Sequence, residues 1–168
     1  MTATYEPIST QTLGTATGTV SFSSISGTYT DLVLVITGKT STGAYNCRFR
    51  LNSDTGSNYS FTELYGNGTS AASARSTGQT SGRFDNYATP STTGMYLTVA
   101  HFMNYSNSTT YKTIINRANN AGGTYPGVQA NVNLWRSTAA VTQIDVSPAF
   151  SDTWAVGSTF TLYGIKAE

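Results

Sequence analysis

Short stretches that alternate between apolar and polar residues recur along the chain, and each has the two-residue period of a half-buried β-strand. In "GTVSFSSI", Val20 and Phe22 fall on one side, and Ser21 and Ser23 fall on the other. "DLVLVITGK" is apolar on both sides, which predicts a central strand that is covered on both faces. The alternating pattern also occurs in "NCRFRLN", "NYSFTELYG", "GMYLTVAHFMN", "TTYKTIINRAN", "GVQANVNLWR", "AAVTQIDVSPAF" and "GSTFTLYGIKA".

The side of each strand that faces the core follows from the same pattern, because apolar side chains are expected to point inward. In "NYSFTELYG", Tyr59 and Phe61 point inward, and the register brings either Glu63 or Leu64 to the same side. His101 shares an apolar side with the other odd-numbered residues of its strand, so we expect a buried, hydrogen-bonded histidine. The inner side of "NCRFRLN" carries Cys47, Phe49 and Leu51. In "GVQANVNLWR", the pattern places Val128, Ala130, Val132 and Leu134 inside, and Gln129, Asn131 and Asn133 outside.

Two segments depart from the regular pattern. "TYEPISTQTL" contains Pro7, which lacks the N–H that a central strand needs, so residues 1–13 are expected to form an N-terminal arm or an edge strand. Residues 66–94 are rich in Gly, Ser, Thr and Ala, which predicts a long decorated loop with one or two short strands around "GRFDNYA". Because long loops are usually functional or mobile, we expect a partner surface there.

Together the patterns predict about nine to eleven short strands and no substantial helix. We expect one domain over residues 1–168. Turn-separated strands at this spacing are typical of an antiparallel β-sandwich or jelly roll.

Composition supports an ordered fold and limits the classes of partner. Aromatic residues make up 12% of the chain, whereas disordered chains are poor in them. The net charge is +1, from nine Lys and Arg and eight Asp and Glu that are scattered without runs of one sign. This balance gives no electrostatic basis for direct binding of nucleic acid or of an anionic membrane.

The sequence carries no recognisable targeting signal and only one cysteine, and both facts bear on where the protein is expected to be found. No apolar stretch approaches the roughly 20 residues of a membrane span. "MTATYEPIST" lacks the basic start and the apolar run of a signal peptide, so we expect a soluble protein made in a cytoplasm. Cys47 is the only cysteine, so no internal disulfide can form.

The stretch "DTGSN", at residues 54–58, contains the Asp-Thr-Gly tripeptide of aspartic proteases. Such a protease needs two aspartates that share a proton. The other Asp-Thr begins at Asp152, but Trp154 stands where the glycine is needed. Asn, Ser, Asp and Gly are all turn formers, so a hairpin turn is the preferred interpretation of Asp54. The stretch also lacks the terminal Glu of a calcium loop, and a bound cation stays the alternative.

Other catalytic and metal-binding chemistries lack the residues that they need. Cys47 would need a base to act as a nucleophile, and His101 is the only histidine. The chain has no G-x-S-x-G motif, and it has too few ligands for zinc. A glycosidase needs two converging carboxylates, an alternative that eight acidic residues leave open. We predict no catalytic residue, no cofactor site and no metal site.

Tyrosines are the remaining candidates for a binding surface, and the chain has eleven. Tyr is favoured at protein interfaces. Near predicted turns or strand ends lie Tyr45, Tyr59, Tyr65, Tyr87, Tyr105, Tyr111 and Tyr125. We expect them to fill the core and cap the ends of the sandwich, with an interface or glycan-binding role as the alternative.

Three phrases frame almost the whole chain, and its middle third lies between them. The first consists of "YEPISTQTL" and the spaced motif V-x-F-x-x-I-x-x-x-Y-x-D-L that follows it. The fixed residues of this motif are Val20, Phe22, Ile25, Tyr29, Asp31 and Leu32. The second is "RFRLNSDTGSNYSFTELYGNG", and the third is "GSTFTLYGIKA". In these phrases the chain resembles small structural proteins of tailed bacteriophages.

The resemblance implies a β-sandwich or jelly roll that assembles on a virion, often as a trimer, and it brings no catalytic residues. The length favours a head decoration (cement) protein, which binds the major capsid protein or other virion proteins on the outer head surface and stabilises the particle. The alternative is a tail or head-fibre domain that recognises a host-surface glycan. Either way, we expect a homo-oligomer that is made in the cytoplasm of the bacterial host and located in the virion.

Overall fold

Twelve β-strands and no helix make up the regular structure of the residues that the computed structural model describes, which are 4–43, 46–122 and 126–166. Accordingly, this part of the chain offers no helical membrane span. The strands are β1 (Tyr5–Thr12), β2 (Val20–Phe22), β3 (Asp31–Gly38), β4 (Cys47–Leu51), β5 (Tyr59–Gly66), β6 (Ala71–Gln79), β7 (Gly82–Arg83), β8 (Met95–Met103), β9 (Lys112–Ala121), β10 (Gly127–Trp135), β11 (Ile144–Pro148) and β12 (Thr159–Ile165).

The strands form two sheets whose paired neighbours all run antiparallel. The large sheet has eight strands in the order β1-β12-β3-β8-β9-β10-β5-β6. The small sheet has four strands in the order β2-β11-β4-β7. The prediction of an antiparallel all-β sandwich is confirmed.

The core lies between the two sheets, and most of it consists of side chains that the alternation predicts to point inward. Val20 and Phe22 of β2 are 2% and 3% exposed. The three predicted inner residues of β4 are also buried, and the ring of Phe49 meets that of Phe102 on β8 edge to face, with centroids 5.7 Å apart. Trp154, on the β11–β12 connection, packs in the same way against Phe160 of β12 at 5.1 Å. The Phe49–Phe102 pair joins the two sheets, and the Trp154–Phe160 pair packs the β11–β12 connection against the large sheet.

The N-terminal segment, for which an arm or an edge strand is expected, forms the edge strand β1. It pairs with β12 along one side of the large sheet. The pairing shifts register between Pro7 and Ser9, where the missing proline N–H would interrupt a regular ladder.

Residues 66–94 differ from the predicted decorated loop. Much of this stretch forms the nine-residue strand β6, which makes the other edge of the large sheet. The short strand β7 lies within "GRFDNYA", as expected. From Phe84 onward the connection turns into the interior, where Phe84, Asp85 and residues 88–91 are buried. Only the part around β6 is therefore open to a partner along its length.

The inner and outer sides predicted for β10 are wrong. Gln129, Asn131 and Asn133 are at most 4% exposed, whereas Val128 and Val132 are 64% and 49% exposed. On β5, Glu63 is the residue that points inward, and Leu64 points outward with 63% exposure. On this half of the large sheet, amides face the interior and apolar side chains face solvent.

Candidate functional site

Asp54 lies in the turn between β4 and β5, as predicted. Its carboxylate accepts hydrogen bonds from the backbone N–H of Gly56 (2.8 Å), from Nδ2 of Asn58 (2.8 Å) and from Nε1 of Trp135 (2.7 Å). Burial by itself would raise the pKa of Asp54, but the bonds from Asn58, Trp135 and Gly56 outweigh it and lower the pKa below its usual value. Asp54 therefore acts as a fixed anion that closes the turn.

The second Asp-Thr lies at the opposite end of the small sheet. Asp54 follows Leu51, whereas Asp152 follows Pro148, which pairs with Cys47 at the start of β4. The five residues of β4 separate the two ends by about 13 Å. Asp152 accepts bonds from Oγ1 of Thr42 (2.7 Å) and from the backbone N–H groups of Gly43 (3.2 Å) and Thr153 (2.7 Å), so the two aspartates form no protease dyad.

Cys47 and His101 lie on opposite sides of the large sheet. Cys47 is fully buried in the core, where burial and the nearby Asp85 raise the pKa of its thiol well above the usual value. His101 points to the outer side, opposite Val33 and Ile115 in the neighbouring strands. It is hydrogen-bonded, as predicted, with its Nε2 3.1 Å from Oδ2 of Asp31, but the prediction that it is buried is wrong, because its side chain is 39% exposed. The imidazole and the thiol therefore have no path for proton transfer.

Carboxylates converge at one place in the interior. Glu63 and Asp85 are 1% and 0% exposed, and the charge of Glu63 helps to raise the pKa of Asp85, after the larger effect of burial. Substrate cannot reach either side chain, so they do not form a glycosidase pair. Within the described ranges, no three His, Cys, Asp or Glu side chains lie close enough together to hold a metal ion.

A layer of buried amides explains why β10 is reversed. The segment that follows β7 crosses the inner side of β9 and β10, where its backbone needs hydrogen-bond partners. Asn133 both donates to O of Arg83 (2.9 Å) and accepts from its N–H (2.9 Å). The Oε1 atom of Gln129 accepts from the N–H groups of Asn86 (2.8 Å) and Tyr87 (3.0 Å).

Neighbouring side chains extend this amide layer. Asn116 on β9 donates to O of Phe84 (2.6 Å), and Asn131 donates to O of Arg83 (3.0 Å). Glu63 accepts from Nδ2 of Asn86 (2.8 Å) and from Nε2 of Gln129 (3.0 Å). Buried amides are tolerated in a core when they are hydrogen-bonded. Here they bond the backbone of the segment after β7, as a neighbouring strand would otherwise do.

The apolar side chains of these strands form an exposed patch on the outer side of the large sheet, which we call the outer apolar face. Its large members are 40–64% exposed. They are Leu64, Met95, Leu97, Met103, Ile115, Val128 and Val132. The register joins them laterally, since Val132 lies opposite Ile115, and Ala130 lies between Leu64 and Arg117.

The outer apolar face is large for a protein without partners. Seven large side chains, each about half exposed, present on the order of 600 Å² of apolar surface, at the upper end of the largest patches found on monomers. An open groove of about 860 Å³ crosses the face from β8 to β6, lined by residues that include Leu64, Leu97, Val99, Arg117, Val128 and Ala130. Sequence reasoning missed this site because it assigned the valines of β10 to the core. The detectable signal was the row of amides at alternate positions of β10, together with Asn116 and Asn120 on β9.

The tyrosines divide between core and surface. Tyr59 and Tyr105 are fully buried, as expected of residues that fill the core, whereas Tyr111 is 55% exposed. The rings of Tyr65 and Tyr87 stack on each other with centroids 4.2 Å apart, and both side chains are half-buried. Tyr45 and Tyr125 lie outside the described residues.

The outer apolar face, with its groove, is thus the best candidate for a functional site. Comparison with protein-family models, with curated proteins and with solved structures found no match for the chain. The face consists mainly of exposed aliphatic side chains. It carries Arg117 and few other charges.

Proposed function

We propose that the chain is a structural protein of a tailed-bacteriophage virion, and specifically a capsid decoration (cement) protein that binds the outer head surface. The observation that carries this proposal is the outer apolar face on a sandwich with a densely hydrogen-bonded interior. The resemblance of three sequence phrases to phage structural proteins indicates that the partner is a virion.

Such a protein works through buried surface. Standard stable interfaces bury about 800 Å² on each partner, and the outer apolar face supplies most of that area in aliphatic side chains. Burial contributes about 25 cal/mol per Å² of apolar surface. The part of this free energy that exceeds the entropic cost of association is the net binding free energy. Repeated over many copies, that surplus holds neighbouring capsid subunits together against the pressure of packaged DNA.

The chain is also suited to a particle that meets changing redox conditions. Its single cysteine is fully buried, so no disulfide sets its stability. Its interior is held instead by aromatic packing between the sheets and by the bonded amide layer. Neither depends on an oxidising compartment.

The test uses virions of the phage that encodes the chain. Quantitative mass spectrometry is expected to find hundreds of copies per particle, whereas a neck or tail protein would give about a dozen. Particles made without the protein should assemble and then release their DNA at a lower temperature, and adding the purified chain should restore the higher temperature. Equal heat stability with and without the protein would refute the proposal.

One observation favours a second function, a tail or head-fibre domain that recognises a host glycan. The stacked pair Tyr65 and Tyr87 offers half-buried aromatic surface beside the groove, and aromatic rings commonly pack against sugars. Saturable binding of the purified chain to host cells, lost in Tyr87→Ala but kept in Tyr111→Ala, would support this function. Absence of saturable binding would dismiss it.

A further inference from the structure

The outer side of the small sheet carries two arginines without an ion partner. Arg48 and Arg50 occupy alternate positions of β4, and the residues between them point into the core, so both arginines lie on the outer side. Both side chains are half-buried. Among the described residues, no carboxylate lies within ion-pair distance of either guanidinium. This is unusual, because charges that are partly removed from water are normally paired.

The carboxylate that faces Arg50 is already engaged by neutral donors. Asp145 on β11 lies directly opposite Arg50 in the register of the small sheet. Its two oxygens accept hydrogen bonds from the hydroxyls of Ser21 (2.7 Å) and Ser53 (3.0 Å) and from Nε2 of Gln143 (2.8 and 3.0 Å). Neighbours of opposite charge therefore do not pair here, and the guanidinium of Arg50 stays available to another anion.

The hydrogen bonds of the two arginines leave several donors unused. Arg50 donates from Nε to O of Thr80 (3.2 Å). Arg48 donates one long bond, from Nη2 to O of Pro148 (3.4 Å), and its Nε is buried without a hydrogen-bond partner among the described residues. Because a buried donor without an acceptor is costly, this Nε indicates a place where an acceptor from outside the chain can bind.

Like charges add to the need for an anion. Arg83 on β7 lies opposite Arg48 in the neighbouring strand. Burial lowers the pKa of Arg48, and the charges of Arg50 and Arg83 lower it further. Three guanidinium groups and the carboxylate of Asp145 leave a local charge of about +2 at neutral pH. A bound anion of similar charge would remove the repulsion among these arginines.

A pocket lies beside Arg48 and Arg50 on the same side of the sheet. Its volume is about 180 Å³, which is room for about six water molecules and less than a drug-sized ligand needs. Hydroxyl groups complete its polar lining, from Thr19, Ser53, Thr55, Ser81 and Ser147. Guanidinium and hydroxyl groups are the side-chain donors that proteins commonly use to bind phosphate oxygens.

We propose that this pocket binds a single phosphate group through Arg48 and Arg50. A phosphate group carries a charge of about −1.5 to −2, and its oxygens accept from donors on several walls at once. A carboxylate carries less charge, and one guanidinium satisfies both of its oxygens. The pocket lies on the opposite side of the sandwich from the outer apolar face. Phosphate binding is thus a second function, separate from the proposed capsid contact.

Isothermal titration calorimetry of the purified full chain with sodium phosphate tests this proposal, in a Tris chloride buffer of constant ionic strength. We expect saturable binding with a Kd of about 0.1–1 mM, since so small an ion makes few contacts. Arg48→Gln and Arg50→Gln should each weaken binding about 10-fold or more, because each removes charge-assisted hydrogen bonds. Arg75→Gln removes an exposed guanidinium on β6 and is the matched control, which should bind like the wild type.

Thermal melts give a second readout and show that each variant is folded. Phosphate should raise the Tm of the wild type and of Arg75→Gln, and it should have little effect on the two pocket variants. The proposal is overturned if binding does not saturate by about 20 mM phosphate, if acetate binds as tightly as phosphate, or if Arg75→Gln loses as much affinity as Arg48→Gln.

A further titration identifies the source of the phosphate group. Glucose 6-phosphate that binds at least as tightly as inorganic phosphate, with no binding of glucose itself, would assign the pocket to a phosphorylated sugar. Weaker binding of the ester would assign it to the free ion. Binding of glucose as tightly as of its phosphate ester would overturn the proposal, because the phosphate group would then contribute nothing.

Discussion

The indole N–H of Trp135 donates a 2.7 Å hydrogen bond to Oδ2 of Asp54, which ties the end of β10 to the turn between β4 and β5. The turn is therefore linked to the large sheet through a side chain as well as through the backbone bond from Arg136 to Asn58. A stretch that resembles a protease motif serves here as a junction between the two sheets.

Replacing Asp54 with Asn should lower the free energy of unfolding by about 1–2 kcal/mol at neutral pH, because an amide cannot accept all the bonds that the carboxylate accepts. Since the folded-state pKa of Asp54 is lowered, its contribution is full above the unfolded-state pKa of about 4 and is lost as the pH falls through the folded-state value. Urea unfolding of both proteins from pH 2 to 7 measures the difference, which should shrink in acid.

Trp135→Phe is the matched control for this carboxylate, because it removes one donor and leaves the acceptor in place. The double variant with Asp54→Asn should lose less stability than the two single losses added together, since both remove the same bond. Strict additivity would contradict the proposed junction.

Replacing Asp85 with Asn should have the opposite dependence on pH. Burial raises the pKa of Asp85 well above its usual value, so between the unfolded-state and folded-state pKa the native protein binds more protons than the unfolded chain. Stability from this group is full below about pH 4 and is lost as the pH rises through the folded-state pKa. The amide of the Asp85→Asn variant keeps an oxygen for the N–H of Cys47 and has no proton to lose.

We expect Asp85→Asn to be more stable than the wild type by about 1–3 kcal/mol at pH 8 and similar to it at pH 4. Denaturant melts at pH 4, 6 and 8 test this. Parallel stability curves for the two proteins would show that Asp85 does not carry the raised pKa.

Adding a methyl group to Gly82 should destabilise the core. A β-carbon at this position would come within 2.1 Å of the Phe49 ring, which is itself stacked on Phe84 with centroids 4.6 Å apart. Gly82→Ala should therefore cost about 1–3 kcal/mol by overpacking. Gly14→Ala is the control, because nothing lies within 4 Å of its added β-carbon, and it should change stability by less than about 1 kcal/mol. Equal thermal melts for the two variants would contradict the close contact.

Replacing Asn133 with Leu should destabilise the protein even though it restores the ordinary apolar pattern of a core strand. The change removes both bonds to the backbone of Arg83: its N–H is left without a partner, and its O keeps only the bond from Asn131, at a cost of about 1–3 kcal/mol. Val132→Thr, the outward neighbour, should change folding stability by less than about 1 kcal/mol. A more stable Asn133→Leu would mean that the amide layer does not hold this segment.

The alternation of apolar and polar residues predicted correctly which side chains point inward wherever the strand packs against an apolar core. Val20, Phe22 and Phe49 point into an apolar core, so a two-residue period suffices to orient them. Pro7 correctly indicated a strand at a sheet edge, because its missing N–H restricts it to such positions.

Alternation failed where the neighbouring layer is polar backbone. Val132 and Asn133 exchange their expected sides because a segment far away in sequence needs the amide, and no local rule contains that information. His101 is misplaced for a different reason, because β8 is apolar on both sides: Ala100 and Phe102 fill the core, whereas Val99 shares the outer side with His101. The outer apolar face could therefore be found only once the pairing of β8, β9, β10 and β5 was known.

The amide layer also has a kinetic consequence. Side chains of β9 and β10 bond the backbone of residues 83–89, and Glu63 of β5 accepts a bond from the side chain of Asn86. The anchoring points therefore come together only after those strands have paired. We therefore expect the sheet to assemble first and this segment to dock onto it last. Pulse-labelling by hydrogen exchange would record the delay as late protection of the N–H groups of Arg83, Asn86 and Tyr87.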